Sequence, residues 1–199
     1  MSDAPFRIAR LQDLHQRRGF RCGSEALDTY FRQQVSQDVR RRIAACYVAL
    51  TPEQRIAGYY TLASAAVLLS DLPSSVAKKL PRYPSVPAVR LGRLAVDLDF
   101  KGIGLGGALL ADALGRALRA EIAAFALMVD AKDESAAAFY RHHGLTPLPD
   151  QPMRLFLPLA TARHAATGPE GVTEPLAPRP SSLAGATSAS ASGGESASP

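Results

Sequence analysis

The amino-acid sequence predicts an α+β domain built around one mixed sheet. Short apolar runs are joined by turn signals such as the one at residues 51–54, which is typical of antiparallel hairpins. Other segments place apolar residues at the i, i+3, i+4 spacing of amphipathic helices. A strand–glycine turn–helix unit occurs only once, in the middle of the chain, so the repeated pattern of a parallel α/β sheet is absent.

The first half of the chain reads as strand, helix and two strands. Residues 6–11 alternate as a strand does, and Ser24 is placed to cap a helix that ends in a basic cluster, which suits the negative end of a helix dipole. Strands are predicted at residues 43–50 and 55–69, the second of them bent or bulged because it is long and mostly apolar.

The second half adds strands and two helices. Residues 70–87 contain four prolines and are predicted as loop with a helical turn, and residues 88–97 form the next strand. A helix ends near residue 120, a strand covers 123–129, a helix covers 135–143 and is terminated by Gly144, and a last strand covers 151–159. The predicted order is β-α-β-β-β-α-β-α-β.

Composition divides the chain into a domain at residues 1–160 and a tail at 161–199. The tail consists mainly of Ala, Ser, Gly and Pro, and it is predicted to be disordered because so few apolar residues cannot offset the entropy of ordering. The net charge is +5; the tail carries two arginines and three glutamates, a charge of −1, which leaves about +6 on the domain. A basic domain suits an anionic partner without identifying one.

Several classes of protein are disfavoured by the sequence. The two cysteines, Cys22 and Cys46, form no CxxC pair and have no neighbours at metal-ligand spacing, so neither a disulfide framework nor a metal site is expected. The beginning of the chain lacks the apolar core of a signal peptide, and no apolar run approaches the length of a membrane span. We therefore expect a cytoplasmic protein with no membrane partner.

A glycine-rich turn is the strongest chemical signal. The strand that ends at Asp97 is followed by Gly102-x-Gly104-x-Gly106 and then by a helix. Glycines allow the backbone to approach an anion, and the helix N-terminus adds a positive dipole, so a pyrophosphate is the natural ligand. No Lys-Ser/Thr pair follows, and the spacing is not GxGxxG, which argues against a P-loop and a nicotinamide site. The alternative is a turn that merely permits tight packing.

The stretch LGRLAVDLDFKGIGLGGALLADAL resembles the central motif of the GNAT superfamily of N-acetyltransferases. The resemblance implies a three-layer α/β/α fold with a splayed central strand pair, and acetyl-CoA as cosubstrate. The implied pantetheine contacts are the backbone of Leu94, Ala95 and Val96. The implied pyrophosphate contacts are Lys101, Gly102, Ile103, Gly104, Leu105, Gly106 and Gly107. Asp99 stands where the family has Gln or Arg, so we expect its carboxylate to point away and Lys101 to supply charge.

The segment from Asp133 to Leu145 resembles the second GNAT motif, NxxAxxFYxxxGF, with Asp133 and Leu145 in place of its Asn and final Phe. The resemblance implies that Tyr140 is the general acid that protonates the leaving thiolate. The alternative is a core aromatic beside Phe139. No general base stands out, and His142 and His143 are expected to be surface residues at a helix end.

Two further pieces, around Cys22–Tyr30 and Gly58–Ser64, together with LGRLAVD, resemble the GNAT toxins of bacterial type II toxin–antitoxin systems over residues 20–157. In that branch the toxin acetylates the α-amine of aminoacyl-tRNA and blocks translation. The resemblance implies a ribbon-helix-helix antitoxin and a homodimer. A weakly basic aminoacyl amine could lose its proton to water, which is compatible with the lack of a base.

Basic residues could hold RNA phosphates if they lie on one surface. The candidates are Arg40, Arg41, Arg42, Lys78, Lys79, Arg82, Arg90 and Arg93. The alternative is that these basic residues pair with local carboxylates.

Two other functions stay open: an acetyltransferase of a small-molecule or protein amine, and a non-catalytic acyl-CoA-binding module. The sequence leaves undetermined which aminoacyl-tRNA is used, the oligomeric state and the role of the tail.

Overall fold

The computed structural model describes residues 6–166. Its strands are β1 (Arg7–Arg10), β2 (Ala45–Leu50), β3 (Ile56–Leu68), β4 (Ser85–Val96), β5 (Ala126–Asp130), β6 (Thr146–Leu148) and β7 (Gln151–Pro158). Its helices are α1 (Glu25–Thr29), α2 (Val35–Arg40), α3 (Ser74–Ala77), α4 (Leu105–Arg119), α5 (Glu134–His142) and α6 (Leu159–Ala166). A π-helical segment, Tyr30–Gln34, joins α1 to α2.

The strands form one seven-stranded sheet in the order β1-β2-β3-β4-β5-β7-β6. Every neighbouring pair is antiparallel except β4 and β5, which are parallel and are connected by α4. The connection leads α4 back across the sheet, so its N-terminus lies beside the C-terminal end of β4. This confirms the predicted α+β class and the mixed, mostly antiparallel sheet.

Helices cover both faces of the sheet. Tyr59 and Tyr60 are consecutive on β3 and therefore point to opposite faces. Tyr59 packs with Phe31 and Val35, on the side of α1 and α2. Tyr60 packs with Leu109 and other residues of α4 and α5 on the other side. The three layers are those that the resemblance implied.

A β-bulge at Gly92 separates two parts of β4. Thr61 of β3 is opposite Arg93 while Leu62 is opposite Leu91, so Gly92 is an extra residue with no partner. The ladder between β4 and β5 covers only Ala88–Leu91 and stops at the bulge. Beyond Gly92, β4 is paired on one side only, with β3. This opening is the predicted splay of the central strand pair.

Several boundaries differ from the predicted ones. Strand β4 begins at Ser85 rather than residue 88, because the proline-rich segment before it is drawn into the ladder with β3. Strand β6 was missed, and the helix after Ser24 contains the π-helical segment. Ser24 occupies the N-cap position, but its side chain makes no capping hydrogen bond.

Helix α6 continues past residue 160, where the predicted domain ended, and the predicted tail from residue 167 onward lies outside the described residues. Within residues 6–166, no helix is long and apolar enough to cross a membrane. In the same part of the chain, no group of His, Cys, Asp and Glu has the arrangement needed to hold a metal ion.

Candidate active site

The unpaired edge of β4 is the first part of the site. Leu94, Ala95 and Val96 are bonded to β3 and face the opening on their other side, where β5 has ended. Leu94 and Val96 direct their side chains to the face covered by α4, whereas Ala95 is buried on the face of α1 and α2. The contacts that remain available along this edge are therefore backbone N–H and C=O groups, as the prediction required.

The glycine turn joins this edge to α4. Gly102 and Gly104 have φ angles of 78° and 84°, in the left-handed region that other residues rarely adopt. Gly104 is the N-cap of α4, and the first-turn amides of Leu105, Gly106 and Gly107 have no acceptor within the helix. These N–H groups and the helix dipole together form a binding site for an anion.

A cleft of about 420 Å³ lies over the turn and the first turn of α4. Seven of the predicted ligand residues line it: Val96, Lys101, Gly102, Gly104, Leu105, Gly106 and Gly107. Ile103 does not line it, and its side chain is 60% exposed. The opposite wall is built from Phe100 and from Phe139, His142 and His143 of α5. His142 is exposed, as expected of a surface residue, and His143 is half-buried, and both border the cleft. No sequence signal indicates this position, because it depends on how α5 docks on α4.

Two aspartates after β4 fix the turn. Asp97 is buried and accepts hydrogen bonds from the backbone N–H of Arg21 at 2.9 Å and from Arg55 at 3.0 Å. Asp99 is exposed and bonds Arg55 at 2.5 Å, and this guanidinium lowers the pKa of the Asp99 carboxyl. Asp99 does not line the cleft, so the off-pattern carboxylate is directed away from it, as expected.

Tyr140 is buried, with 8% of its surface exposed, and burial raises the pKa of its phenol to about 12. The hydroxyl groups of the other buried tyrosines are all engaged: Tyr30 donates to Asp38 at 2.9 Å, Tyr59 to the Leu27 carbonyl at 3.0 Å, and Tyr60 to Asp112. Among residues 6–166, nothing bonds the Tyr140 hydroxyl, and it is not sealed from solvent. It is thus a protonated, uncommitted donor at neutral pH.

The predicted basic residues are free of carboxylates. Six ion pairs occur within residues 6–166, and none includes any of the eight predicted cations. Arg93 instead stacks its guanidinium on the Tyr30 ring, 3.4 Å from the centroid. Arg40 ends α2, and Arg41 and Arg42 follow it. Lys78, Lys79 and Arg82 lie between α3 and β4, and Arg90 lies on β4. Local pairing, the alternative reading of these residues, does not occur.

The arginines are not all near the glycine turn. Arg42 lines a second cleft of about 630 Å³ together with Arg10 and Arg116, beside the C-terminal half of α4. This cleft shares no lining residue with the one over the turn.

Of the other histidines, His15 is buried and accepts a hydrogen bond from the backbone N–H of Gln12 at 3.1 Å, so it serves the local turn rather than catalysis.

Residues 21–154 match the family model described as "Acetyltransferase (GNAT) domain". The chain belongs to the GNAT acetyltransferase family. The match covers the splayed strand, the glycine turn and Tyr140. The prediction of an acetyltransferase that takes its acetyl group from acetyl-CoA is thereby confirmed.

Relatives of this GNAT domain include toxins. A "tRNA-acetylating toxin" of Mycobacterium tuberculosis is 36% identical over 162 residues, which cover 80% of this chain and 94% of the relative. A "Probable toxin TacT" of Sinorhizobium fredii is 29% identical, over 75% of this chain and 88% of the relative. The solved structure of AtaT complexed with acetyl-methionyl-tRNAfMet superimposes with a TM-score of 0.75 at 33% identity, covering 81% of this chain and 99% of AtaT.

The cleft fits the pyrophosphate of acetyl-CoA. A Cβ atom added to Gly102 or Gly104 would meet nothing within 4 Å, so space for a ligand lies directly over these backbone groups. Lys101 can supply positive charge, and the open edge of β4 can bond the amides of the pantetheine arm. The glycine turn, Lys101 and the open edge of β4 are thus the groups that could hold the cosubstrate.

Proposed function

We propose that this protein acetylates the α-amino group of aminoacyl-tRNA and acts as a toxin that blocks translation. The proposal is supported by the similarity to the tRNA-acetylating toxin of M. tuberculosis and to AtaT, which extends over 94% and 99% of those chains. The similarity therefore extends over nearly the full length of both relatives.

The uncommitted Tyr140 hydroxyl is the observation that carries the chemistry. Acetyl-CoA supplies an acetyl group activated as a thioester, and the sulfur needs a proton when the acetyl group leaves. Tyr140 keeps its proton at neutral pH, because burial raises the pKa of its phenol to about 12, and it has no internal acceptor to release first. The attacking amine must be neutral. The α-amine of an aminoacyl ester is weakly basic, so water can take its proton without a protein base.

The free cations support an RNA acceptor. Eight basic residues with no carboxylate partner can exchange their counterions for RNA phosphates. Arg93 is held by stacking on Tyr30, which leaves its N–H donors available for a phosphate. It lies immediately after the bulge, on the strand whose edge faces the donor, so it is the cation best placed to position an acceptor.

The resemblance to toxins also suggests partners. A mutant AtaT toxin has been solved bound to the C-terminus of the antitoxin AtaR, and the AtaT–AtaR complex has been solved bound to DNA. We propose a ribbon-helix-helix antitoxin as the neutralising partner, a homodimer as the active form, and the cytoplasm, where charged tRNA is found, as the place of action.

The test is transfer of labelled acetyl from acetyl-CoA to a charged tRNA pool. Uncharged tRNA and charged tRNA whose amines have been blocked chemically are the controls. We expect label on charged tRNA alone, and mild alkali should release it as N-acetyl amino acid, since the ester bond is cleaved. Label on uncharged tRNA, or no label on RNA from protein that binds acetyl-CoA, would reject the proposal and favour a small-molecule or protein amine.

A further inference from the structure

His143 has a fixed orientation in the wall of the acetyl-CoA cleft. Its Nδ1 lies 2.8 Å from the Phe139 carbonyl oxygen. A carbonyl can only accept, so Nδ1 carries the proton and donates. The ring also packs against the Phe139 side chain, with centroids 4.4 Å apart. The orientation of the imidazole, and the nitrogen left free, are therefore determined by α5 itself.

The free nitrogen, Nε2, lies over the first turn of α4. A Cβ atom added to Gly107 would be 2.9 Å from Nε2, closer than real side chains allow. Gly107 is therefore needed for the approach of this imidazole. Because Gly107 is in the first turn and His143 lines the same cleft as Lys101 and Gly104, Nε2 borders the place where the backbone amides would hold the pyrophosphate.

His143 lies between charges of both signs. Lys101 lines the same cleft, and the N-terminus of α4 is the positive end of that helix, whereas His143 follows the C-terminus of α5, the negative end of its own helix. The other charged groups nearby are committed elsewhere: Arg141 pairs with Glu134, and Asp99 pairs with Arg55. His142 contacts the His143 ring edge-on at 5.1 Å. An arriving pyrophosphate would bring two negative charges into this cleft.

We propose that His143 is a ligand of the acetyl-CoA pyrophosphate and takes up a proton when the cosubstrate binds. In the neutral imidazole, Nε2 presents a lone pair to the anion, which is repulsive. A proton from solvent converts Nε2 into an N–H donor and adds a positive charge. Asp99 stands where the family has Gln or Arg, and its carboxylate is turned toward Arg55. His143 thus supplies a cationic side chain that this position lacks.

Calorimetric titration of the full chain with dephospho-CoA tests the proposal. This ligand keeps the pyrophosphate but lacks the 3′-phosphate monoester, which itself titrates near pH 6 and would obscure the proton count. Titrations at pH 6 to 8.5 in buffers of different ionisation enthalpy give the number of protons taken up. We expect the number of protons taken up per bound ligand to reach a maximum between zero and one within this range. The affinity should fall about tenfold from pH 6 to pH 8.5, as for a pKa shift of one unit on binding.

Two variants locate the proton. His143→Gln keeps an amide N–H donor but cannot titrate, so proton uptake and the pH dependence of affinity should both disappear. His142→Gln tests the other histidine of this cleft wall: proton uptake should persist in it, and a loss of uptake here would overturn the assignment to His143. Melting temperatures confirm that each variant is folded. The proposal is overturned if the wild-type protein takes up no proton at any pH, or if uptake persists in His143→Gln. Because no acceptor is used, the result is independent of the proposed tRNA substrate.

Discussion

Tyr60 and Tyr140 lie in the same apolar cluster, on the same face of the sheet, but their hydroxyl groups have opposite surroundings. The Tyr60 hydroxyl donates to Asp112 and accepts from Arg116 at 2.9 Å, and the Arg116 guanidinium also stacks on Tyr47. The Tyr140 hydroxyl has no hydrogen-bond partner in the described part of the chain. A hydroxyl bonded within the protein stabilises the fold, whereas one without a protein partner is free to donate to a ligand. The comparison separates a structural tyrosine from the one that we propose to be catalytic.

Backbone conformation distinguishes the glycines of the turn from one another, and changing it gives the largest predicted effect on acetyl-CoA affinity. Gly104→Val places a β-branched residue at a φ of 84°, which costs roughly 2 kcal/mol or more, so acetyl-CoA affinity should fall at least thirtyfold. Gly106→Ala is the matched control, because its Cβ would meet Phe139 at an ordinary 3.5 Å and its φ is not positive. Binding titrations measure both. Equal losses in the two variants would show that backbone conformation is not what the turn provides.

Tyr60→Phe should destabilise the fold without affecting catalysis. It leaves the Asp112–Arg116 pair one hydrogen-bond partner short, which costs about 1–3 kcal/mol. The free energy of unfolding in urea should fall by this amount, while the turnover of the folded enzyme stays within about twofold of wild type. If turnover falls sharply while stability is kept, Tyr60 and not Tyr140 belongs to the chemistry.

Arg93→Lys should have a smaller and more selective effect. Lysine keeps the charge but loses the planar contact with Tyr30 and the forked donors, a change worth about 0.5–2 kcal/mol. The KM for charged tRNA should rise several-fold, with acetyl-CoA affinity unchanged. Arg90→Lys, on the same strand, is the control. A loss of acetyl-CoA affinity instead would assign Arg93 to the donor side.

Local features of the site were predictable from the sequence, and features that join distant segments were not. The strand, turn and helix of the pyrophosphate cleft are contiguous, so their glycine spacing was enough to predict them. Asp99 pairs with Arg55, which is far away in the chain, and the sequence could give only the expectation that its carboxylate turns away. The position of His143 over Gly107 depends on the docking of α5 on α4, for which no sequence pattern exists.

For the fold, too, local features were predictable from the sequence and long-range features were not. The hairpins and helices followed from periodicity, whereas β6 was missed because three residues around Pro147 are too few to alternate. Strand β3, which was predicted to be bent or bulged, does carry an extra residue, Ala57, in its ladder with β2, whereas the bulge at Gly92 of β4 was not predicted. The consequence of the Gly92 bulge, the separation of β4 from β5, depends on where the ladder between these two strands stops. The sequence alone does not contain that information.

The most direct test of the account compares Tyr140→Phe with Tyr60→Phe in acetyl transfer to charged tRNA under single-turnover conditions. Removing a general acid costs roughly 10²- to 10⁴-fold, so Tyr140→Phe should lose at least about a hundredfold in rate. It should keep wild-type stability and acetyl-CoA binding, because its hydroxyl has no partner to lose. Tyr60→Phe should transfer acetyl at nearly the wild-type rate. A Tyr140→Phe enzyme within a few-fold of wild type would contradict the central claim.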